Sequence, residues 1–315
     1  MVNLSIIIPI YNESDSIVTL KKEIDFVVSK EKIKTELIFI DDGSTDNSWS
    51  VIKLISRKKY KYLSIKGISF GRNSGKSTAL NEGFIYAQGA VVITMDGDLQ
   101  DDPKEIPSFY DSIHVDDFDL VSGWKKNRKD PLSKTVPTKL YNWATRLFSG
   151  IGLHDFNCGF KAYKREVIKN IIVTGEMHRY IPLLVKQKGY DKIGEIIVNH
   201  RSRKYGKSKY GIERFSNGFL DLLTIAFLSK FGRRPMHIFG FLGIISFLIG
   251  FGISFYLAYS KLFYDQYNMT DRPIFYFSLL CMIIGSQFFL TGFLGEMIIR
   301  KRKSDNDSII EKIGF

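Results

Sequence analysis

The chain has 315 residues, enough for one domain of ordinary size and some additional structure. Its only two cysteines, Cys158 and Cys281, lie in parts of the chain that are not expected to meet. This excludes a disulfide framework and a cysteine-rich zinc site. Such cysteine usage is typical of a reducing compartment. The formal net charge of +12 is typical of proteins that bind nucleic acid, an anionic membrane surface or a phosphate-bearing substrate.

The first hundred residues alternate apolar runs with helical patterns. The first eleven residues are apolar but lack a basic leader and a cleavage site, so they predict a strand rather than a signal peptide. Buried strands are predicted over Leu4–Ile10, Glu36–Ile40 and Ala90–Met95, with helices at roughly 16–29 and 48–57. This order predicts an α/β fold with a mostly parallel sheet covered on both faces, and a ligand site beyond the carboxyl ends of the strands.

Polar clusters follow each of these three predicted strands, with the sequences PIYNES, DDGSTD and DGDLQDDP. Acidic groups gathered at neighbouring strand ends repel one another, and a bound cation relieves the repulsion. Oxygen ligands from Asp96 and Asp98, with Gln100 nearby, suit Mg²⁺ or Mn²⁺ bridging a diphosphate. Each cluster alone is also typical of a turn or a helix cap. Their regular order along an α/β pattern favours a metal site.

The sequence FGRNSGKS at residues 70–77 resembles a phosphate-binding P-loop but lacks its first glycine, because Phe70 stands in that position. An ATPase is therefore not predicted, although Lys76 is expected to approach a bound nucleotide. The five histidines lack metal-ligand spacing, and His154 is predicted to be a loop residue.

Two long apolar segments follow. Met236–Tyr259 contains no Asp, Glu, Lys or Arg, and Ile274–Ile299 contains only Glu296. Each exceeds the roughly 20 apolar residues that a membrane-spanning helix needs, although a pair of buried core helices is the alternative. Basic residues precede the first segment and follow the second, which predicts cytoplasmic termini and a short external hairpin. Small residues at Ser246, Gly250 and Ser254 favour close helix contact and a possible homo-oligomer.

The chain is accordingly divided into a soluble head at 1–210, an interfacial helix at 211–235, a two-helix transmembrane hairpin at 236–300 and a solvated basic tail at 301–315. The prediction of an interfacial helix depends on an apolar helical face that includes Phe215, Phe219 and Phe227. A packed core helix is the alternative.

Five motifs together resemble the family 2 glycosyltransferases: IPIYNES, IFIDDGSTD, MDGDLQDDP, DFNCGFKAY and RKYGKSKYG. The likeness covers about two-thirds of the chain and is greatest to dolichol-phosphate mannosyltransferase and the bacterial polyprenyl-phosphate (bactoprenol) glucosyltransferases. The DDGS element is shared more widely, whereas DGDLQDDP and YGKSKYG are specific. The resemblance implies a Rossmann-like glycosyltransferase A-type domain.

The resemblance also implies roles for individual residues. Asp155 would take a proton from the acceptor or orient it, although an Asp that fixes a loop is the alternative. Asp96 and Asp98, with Gln100, would hold Mg²⁺ or Mn²⁺ and the diphosphate. The donor site would comprise Pro9, Tyr11, Asn12, Glu13, Asp42, Lys76, Asp96, Gly97 and Asp98.

An anionic acceptor and an anionic lipid surface would account for the excess positive charge. The acceptor phosphate is expected to contact Lys125, Arg128, Lys139, Arg201 and Lys207. Nucleic acid is not expected to bind, because these groups border membrane-seeking sequence rather than a nucleic-acid motif. For any single lysine, an ordinary solvated surface position is the alternative.

The reaction that the resemblance implies is transfer of one sugar, with inversion, from a nucleotide-sugar (UDP-glucose) to polyprenyl (undecaprenyl) phosphate for cell-envelope glycan modification. It is placed at the cytoplasmic face of a bacterial inner membrane. The alternatives are a GDP-mannose-dependent mannosyltransferase and a non-catalytic tether that binds nucleotide-sugars. A processive synthase is not favoured, because the Gln-x-x-Arg-Trp motif of such enzymes does not occur.

Overall fold

The computed structural model describes residues 2–126, 142–143, 145–147, 149–201, 235–264, 269–300 and 309–315. The chain divides into two compact units. One comprises Met1–Ala226 together with Asp305–Phe315, and the other comprises Phe227–Ser304. Of the predicted segments, the interfacial helix at 211–235 lies almost wholly outside the described residues.

The first unit is an α/β sandwich around one mixed sheet. Its strands are β1 (Leu4–Ile10), β2 (Thr35–Asp41), β3 (Leu63–Phe70), β4 (Val91–Thr94), β5 (Leu120–Trp124), β6 (Lys161–Lys164), β7 (Ile193–Ile197) and β8 (Ile309–Ile313). Its helices are α1 (Ser14–Lys30), α2 (Ser48–Ser56), α3 (Lys76–Tyr86), α4 (Ile106–His114), α5 (Arg165–Lys169) and α6 (Ile181–Gln187), with 3₁₀ turns at Pro103–Glu105 and Met177–Tyr180. The strand order is β7-β5-β6-β4-β1-β2-β3-β8. The predicted α/β class is confirmed.

Successive residues of β1 explain why the sheet needs helices on both faces. Ile6 and Ile8 belong to one buried apolar cluster, whereas Ile7 belongs to a second cluster. Side chains alternate between the faces of a strand, so an unbroken apolar run buries both. The first cluster includes apolar residues of α1, α2 and α4, and the second includes those of α3, α5 and α6.

Strand direction fixes where the polar clusters lie. Strands β1 to β4 run parallel to one another, β6 is antiparallel to both β4 and β5, and β7 is parallel to β5. The carboxyl ends of β1, β2, β3, β4, β5 and β7 therefore meet at one side of the sheet, which we call the carboxyl edge. This side of a parallel sheet is where ligands bind in such folds.

The predicted solvated tail is wrong for its last residues, because β8 completes the sheet. Ile313 pairs with Gly67 and Lys312 with Ile68 in an antiparallel ladder against β3. The two charged residues of the strand have partners: Glu311 accepts a hydrogen bond of 2.6 Å from the indole of Trp49, and Lys312 bonds the Tyr86 hydroxyl. Three of the five residues of this edge strand are apolar, and pairing with β3 and the partial burial of Ile313 stabilise it.

Helices α7 (Pro235–Tyr264) and α8 (Pro273–Arg300) form the second unit. Both are long and apolar enough to cross a membrane, and only 17% of the most apolar window of each is buried. Core helices of a soluble protein would be mostly covered, so this exposure argues against that alternative.

Small residues hold α7 and α8 together. A Cβ atom at Gly285 would lie 2.6 Å from the Phe247 nitrogen, so only glycine permits the observed separation. Ser246 Oγ donates to the Cys281 carbonyl at 2.8 Å, and the Ser254 and Ser278 hydroxyls lie 2.7 Å apart. The predicted small-residue stripe therefore packs within the hairpin. A homo-oligomer remains a prediction.

Candidate active site

The loops that follow β1 and β2 are joined to each other at the carboxyl edge. Asn12 adopts a left-handed backbone conformation with φ of 53°, and its side-chain oxygen accepts the Thr45 amide at 2.8 Å. Its own amide donates to Ser44 Oγ at 2.9 Å, and the Glu13 amide donates to Ser48 Oγ at 3.0 Å. Asparagine tolerates this conformation better than most residues. Two predicted donor residues, Asn12 and Glu13, therefore lie against the DDGS loop and the start of α2.

Asp42 fixes the loop between β3 and α3. Its carboxylate accepts the Ser74 amide at 2.7 Å and the Gly75 amide at 3.0 Å. Burial raises the pKa of Asp42 above its ordinary value despite these hydrogen bonds. The residue is only 5% exposed, and a contact with a nucleoside stays a prediction.

Asp96, at the end of β4, lies close to several positively charged groups at the carboxyl edge. The Lys76 ammonium pairs with its carboxylate. Burial opposes ionisation of Asp96, but the positive charges of Lys76 and Lys125 outweigh it and lower its pKa below the ordinary value. Lys76 therefore forms an ion pair with a predicted metal ligand, and its approach to a bound nucleotide stays a prediction.

The residues after Asp96 form a tight turn. The Asp98 carboxylate accepts the Gln100 amide at 3.1 Å, and Leu99 has a left-handed φ of 63°. The Gly97 carbonyl accepts a hydrogen bond of 2.6 Å from Ser16. A Cβ at Gly97 would lie 2.5 Å from Cδ1 of Ile10, so a larger residue here would have to displace the end of that side chain. Asp96 and Asp98 are both half-buried.

The segment Asp155–Phe160 packs directly on Asp96. A Cβ at Gly159 would lie 2.5 Å from one carboxylate oxygen of Asp96 and 2.7 Å from the other. The Gly159 carbonyl accepts a hydrogen bond of 2.9 Å from Thr94. Asp155 begins this segment, and its carboxylate accepts the Asn157 amide at 3.1 Å. The DFNCG and DGD motifs, about sixty residues apart in sequence, are thus neighbours in space.

The Asp155 side chain is only 2% exposed. Its contact with an acceptor stays a prediction.

Two predicted acceptor-phosphate residues are described, and both already pair with carboxylates. The Lys125 ammonium lies 2.8 Å from Asp101, and Arg201 lies 2.6 Å from both Glu23 and Asp102. The other three predicted contacts, Arg128, Lys139 and Lys207, lie outside the described residues. Pro9 closes β1 in register with Ile40, and Tyr11 follows at the carboxyl edge.

Comparison with known proteins decides the family. The sequence profile described as "Glycosyl transferase family 2" matches residues 5–172, more than half of the chain. The chain is a family 2 glycosyltransferase. The matched region contains β2 to β6, all of β1 except Leu4, and the motif residues from Pro9 to Gly159.

Two similar proteins carry more specific names. The glycosyltransferase is 36% identical to a dodecaprenyl-phosphate galacturonate synthase of Rhizobium johnstonii, over 97% of this chain and 90% of that protein. It is 34% identical to an undecaprenyl-phosphate 4-deoxy-4-formamido-L-arabinose transferase of Shewanella sediminis, over 94% of this chain and 87% of that protein. Both alignments span nearly the whole length of the chain.

Solved structures share the fold. Glucosyl-3-phosphoglycerate synthase of Mycobacterium tuberculosis, crystallised with Mg²⁺ and uridine diphosphate, superimposes with a TM-score of 0.54 at 18% identity, over 72% of this chain and 79% of that one. The same enzyme with Mn²⁺, UDP-glucose and phosphoglyceric acid gives a TM-score of 0.53. At this identity the likeness supports the glycosyltransferase A-type fold alone.

The donor atoms of the glycosyltransferase suit a hard divalent cation. Among the described residues, no group of three or more His, Cys, Asp or Glu side chains has metal-binding geometry. Mg²⁺ sites of nucleotide enzymes commonly use one or two carboxylates and complete their coordination with phosphate oxygens and water. The Asp96 and Asp98 carboxylates fit that arrangement, and glycine at 159 leaves one face of Asp96 free of a side chain.

Sequence reasoning missed two charged residues that hold the Asp155 segment. Glu195, on β7, accepts the amides of His154 at 2.9 Å and Asp155 at 3.0 Å. Lys161 is 3% exposed, and its ammonium bonds the carbonyls of Phe156 and Cys158. Burial lowers the pKa of Lys161. A lysine directly after the GF pair was the one available signal, whereas nothing local marked Glu195.

His178 is a third missed residue. Its Nδ1 lies 3.1 Å from Ser77 Oγ, next to Lys76 at the start of α3. Burial and the nearby Lys76 charge lower its pKa to about 3, so the ring is neutral at physiological pH. It is thus a neutral polar group close to the Lys76–Asp96 pair.

Proposed function

We propose that this glycosyltransferase transfers one sugar, with inversion, from a nucleotide-sugar to polyprenyl phosphate at the cytoplasmic face of a bacterial inner membrane. The observation that carries the proposal is the packing of the DFNCG segment on Asp96, which brings the predicted acceptor residue and the predicted metal site to one place. The names of the two relatives, which both specify a polyprenyl-phosphate product or substrate, support the acceptor class.

Transfer needs few chemical groups. An oxygen of the acceptor phosphate attacks C1 of the sugar, the bond between C1 and the diphosphate breaks, and a nucleoside diphosphate leaves. We infer that Asp96 and Asp98, with Gln100 adjacent, would hold Mg²⁺ or Mn²⁺, which when bound neutralises charge on that leaving group. Lys76 adds a positive charge at the same carboxylate.

The acceptor requires orientation more than activation. A phosphate monoester is largely deprotonated at neutral pH, so Asp155 need not remove a proton. We infer that the segment that Glu195 and Lys161 hold aligns the acceptor opposite the leaving group. Alignment of two reactants accounts for a large part of the rate enhancement in such displacements.

Chain connectivity supports the cytoplasmic placement. The hairpin α7–α8 is inserted between residue 201 and β8, and both of these belong to the first unit. A folded unit lies on one side of a bilayer, so two spanning helices would leave both flanks of the hairpin on that side. Basic residues at 230, 233 and 234 and at 300–303 favour the cytoplasm as that side.

UDP-glucose is the donor that the bactoprenol likeness predicts. The relatives' names specify galacturonate and a formamido-arabinose instead, so the donor screen must include uronic and amino sugars. The GDP-mannose alternative is tested by the same screen.

The test is transfer by the purified chain in detergent. Radiolabelled donors are supplied one at a time with polyprenyl phosphate and Mg²⁺ or Mn²⁺, and lipid-linked sugar is extracted into butanol. We expect label in the butanol phase with at least one donor and none when EDTA is present. Donor binding without transfer to lipid, for every donor, would instead identify a nucleotide-sugar-binding tether.

A further inference from the structure

Three side chains near Asp155 form a cluster that the proposed chemistry does not use. The His154 imidazole stacks on the Trp124 indole, with ring centroids 4.1 Å apart and 12° between their planes. The Lys126 ammonium lies 5.4 Å from the centroid of the same indole. We call these three residues the Trp124 cluster.

Glu195 fixes the orientation of His154. The Nδ1 atom lies 2.8 Å from one oxygen of the Glu195 carboxylate, and the other oxygen accepts the His154 amide at 2.9 Å. A carboxylate accepts but does not donate, so Nδ1 carries the proton and Nε2 is the ring nitrogen left for a ligand. The side chain is 47% exposed, which leaves that nitrogen accessible.

The cluster lies where an acceptor is expected. The Glu195 oxygen that accepts the His154 amide also accepts the amide of Asp155 at 3.0 Å. Trp124 ends β5 at the carboxyl edge, and its backbone pairs with Ile197 at the end of β7. His154 is therefore tied, through one carboxylate, to the residue that the family likeness assigns to the acceptor.

Charge distinguishes Lys126, rather than the Glu195-paired His154, from the cations that the sequence indicated. Lys125 and Arg201 are neutralised by carboxylates at 2.8 and 2.6 Å. Lys126 is exposed, and within the described ranges no carboxylate lies at ion-pair distance from its ammonium. A phosphate monoester is bound best by donors whose charge is not already compensated.

We propose that the Trp124 cluster binds the phosphate of the polyprenyl acceptor through Nε2 of His154 and the ammonium of Lys126. An imidazole that carries a proton on both nitrogens donates from both, here one to Glu195 and one to the phosphate. Trp124 is the rigid support, and Glu195 is a positioning residue for His154 and Asp155. This inference rests on the proposed function.

The test compares His154→Gln and Lys126→Gln with the wild type in the butanol-extraction assay, in a neutral detergent without anionic lipid. We expect each variant to raise the KM for polyprenyl phosphate about tenfold, as for loss of a hydrogen bond to a charged group. The donor KM and kcat stay within twofold, and His154→Arg restores part of the affinity. The exposed His114→Gln and Lys58→Gln serve as controls with unchanged KM.

Three results would overturn the inference. Unchanged acceptor KM in both variants would remove the phosphate contact. A raised donor KM with normal acceptor KM would assign the cluster to the nucleotide-sugar. A defect that appears only when phosphatidylglycerol is added would assign it to anionic lipid headgroups. Transfer by the wild type in the same assay tests the proposed function separately.

Discussion

Replacing Gly159 by alanine adds only a methyl group, yet it should disturb the candidate site through steric contact with Asp96. The new methyl group would lie 2.5 Å from an Asp96 oxygen, whereas ordinary contact begins at 3.4 Å. One of the two groups must therefore move by about 0.9 Å, since atoms at van der Waals contact resist further approach. The backbone of Gly159 is tied to Thr94 by a hydrogen bond, so we expect the Asp96 carboxylate to move.

A displacement of about 1 Å in a positioning group costs on the order of 100-fold in rate. We therefore expect Gly159→Ala to lower kcat/KM for transfer about 100-fold and to raise the Mn²⁺ concentration needed for half-maximal activity. Activity is measured by butanol extraction across a Mn²⁺ titration, and circular dichroism checks that the variant is folded.

The matched control is Gly152→Ala on the same loop, where a Cβ would meet nothing within 4 Å and the backbone φ is not left-handed. It should retain activity within twofold. If Gly159→Ala in a folded protein were also active within threefold, the packing of this loop on Asp96 would have no role in transfer, and the reasoning would be refuted.

Three further outcomes follow from described contacts. Lys66→Met should destabilise the fold by about 3 to 5 kcal/mol in chemical denaturation, because it leaves the fully buried Glu36 carboxylate without the ammonium that now lies 2.8 Å away. The double variant with Glu36→Gln should recover much of the lost stability. A loss below about 1 kcal/mol in the single variant would contradict the prediction. The half-buried His178 has a pKa of about 3, below the value near 6.5 that it has in the unfolded chain. The unfolded chain therefore binds the extra proton, and stability falls as pH drops from about 6.5 towards 3. His178→Asn should remove about 2 kcal/mol of the stability difference between pH 7.5 and pH 5, and equal pH dependence in both proteins would contradict the assignment. A fluorescent protein fused after Phe315 should fluoresce in a bacterial host, and a dark fusion with an active periplasmic reporter would contradict the topology.

The fold class could be predicted because its signal is local. Buried parallel strands such as β1 and β2 are unbroken apolar runs, and the polar clusters mark where they end. The hairpin was equally clear, because a membrane span needs a long uncharged segment.

Strand β8 could not be found in the same way. Five residues, IIEKI, follow a basic segment and give no periodic signal of their own. Their partner, β3, lies more than two hundred residues earlier in the chain. The consequence is practical, since truncating the chain at Met236 would remove an edge strand of the first unit together with the hairpin.

Only part of the candidate site could be predicted, because its ion pairs join residues that are distant in the chain. Acidic motifs such as DGD reveal where charge accumulates, but not which cation compensates it. Lys125 and Arg201 were expected to bind an acceptor, yet the structure pairs both with carboxylates. Glu195 acts only through the chain segment that folding brings beside it, so no pattern around it indicated its contacts.

Carboxylates at the end of β4 are proposed to support sugar transfer to a lipid phosphate. Transfer by Asp98→Asn, measured against the wild type with saturating Mg²⁺ or Mn²⁺, tests this most directly. We expect a folded, membrane-bound protein whose butanol-extractable product falls at least about 100-fold. Activity within a few-fold of the wild type would contradict it.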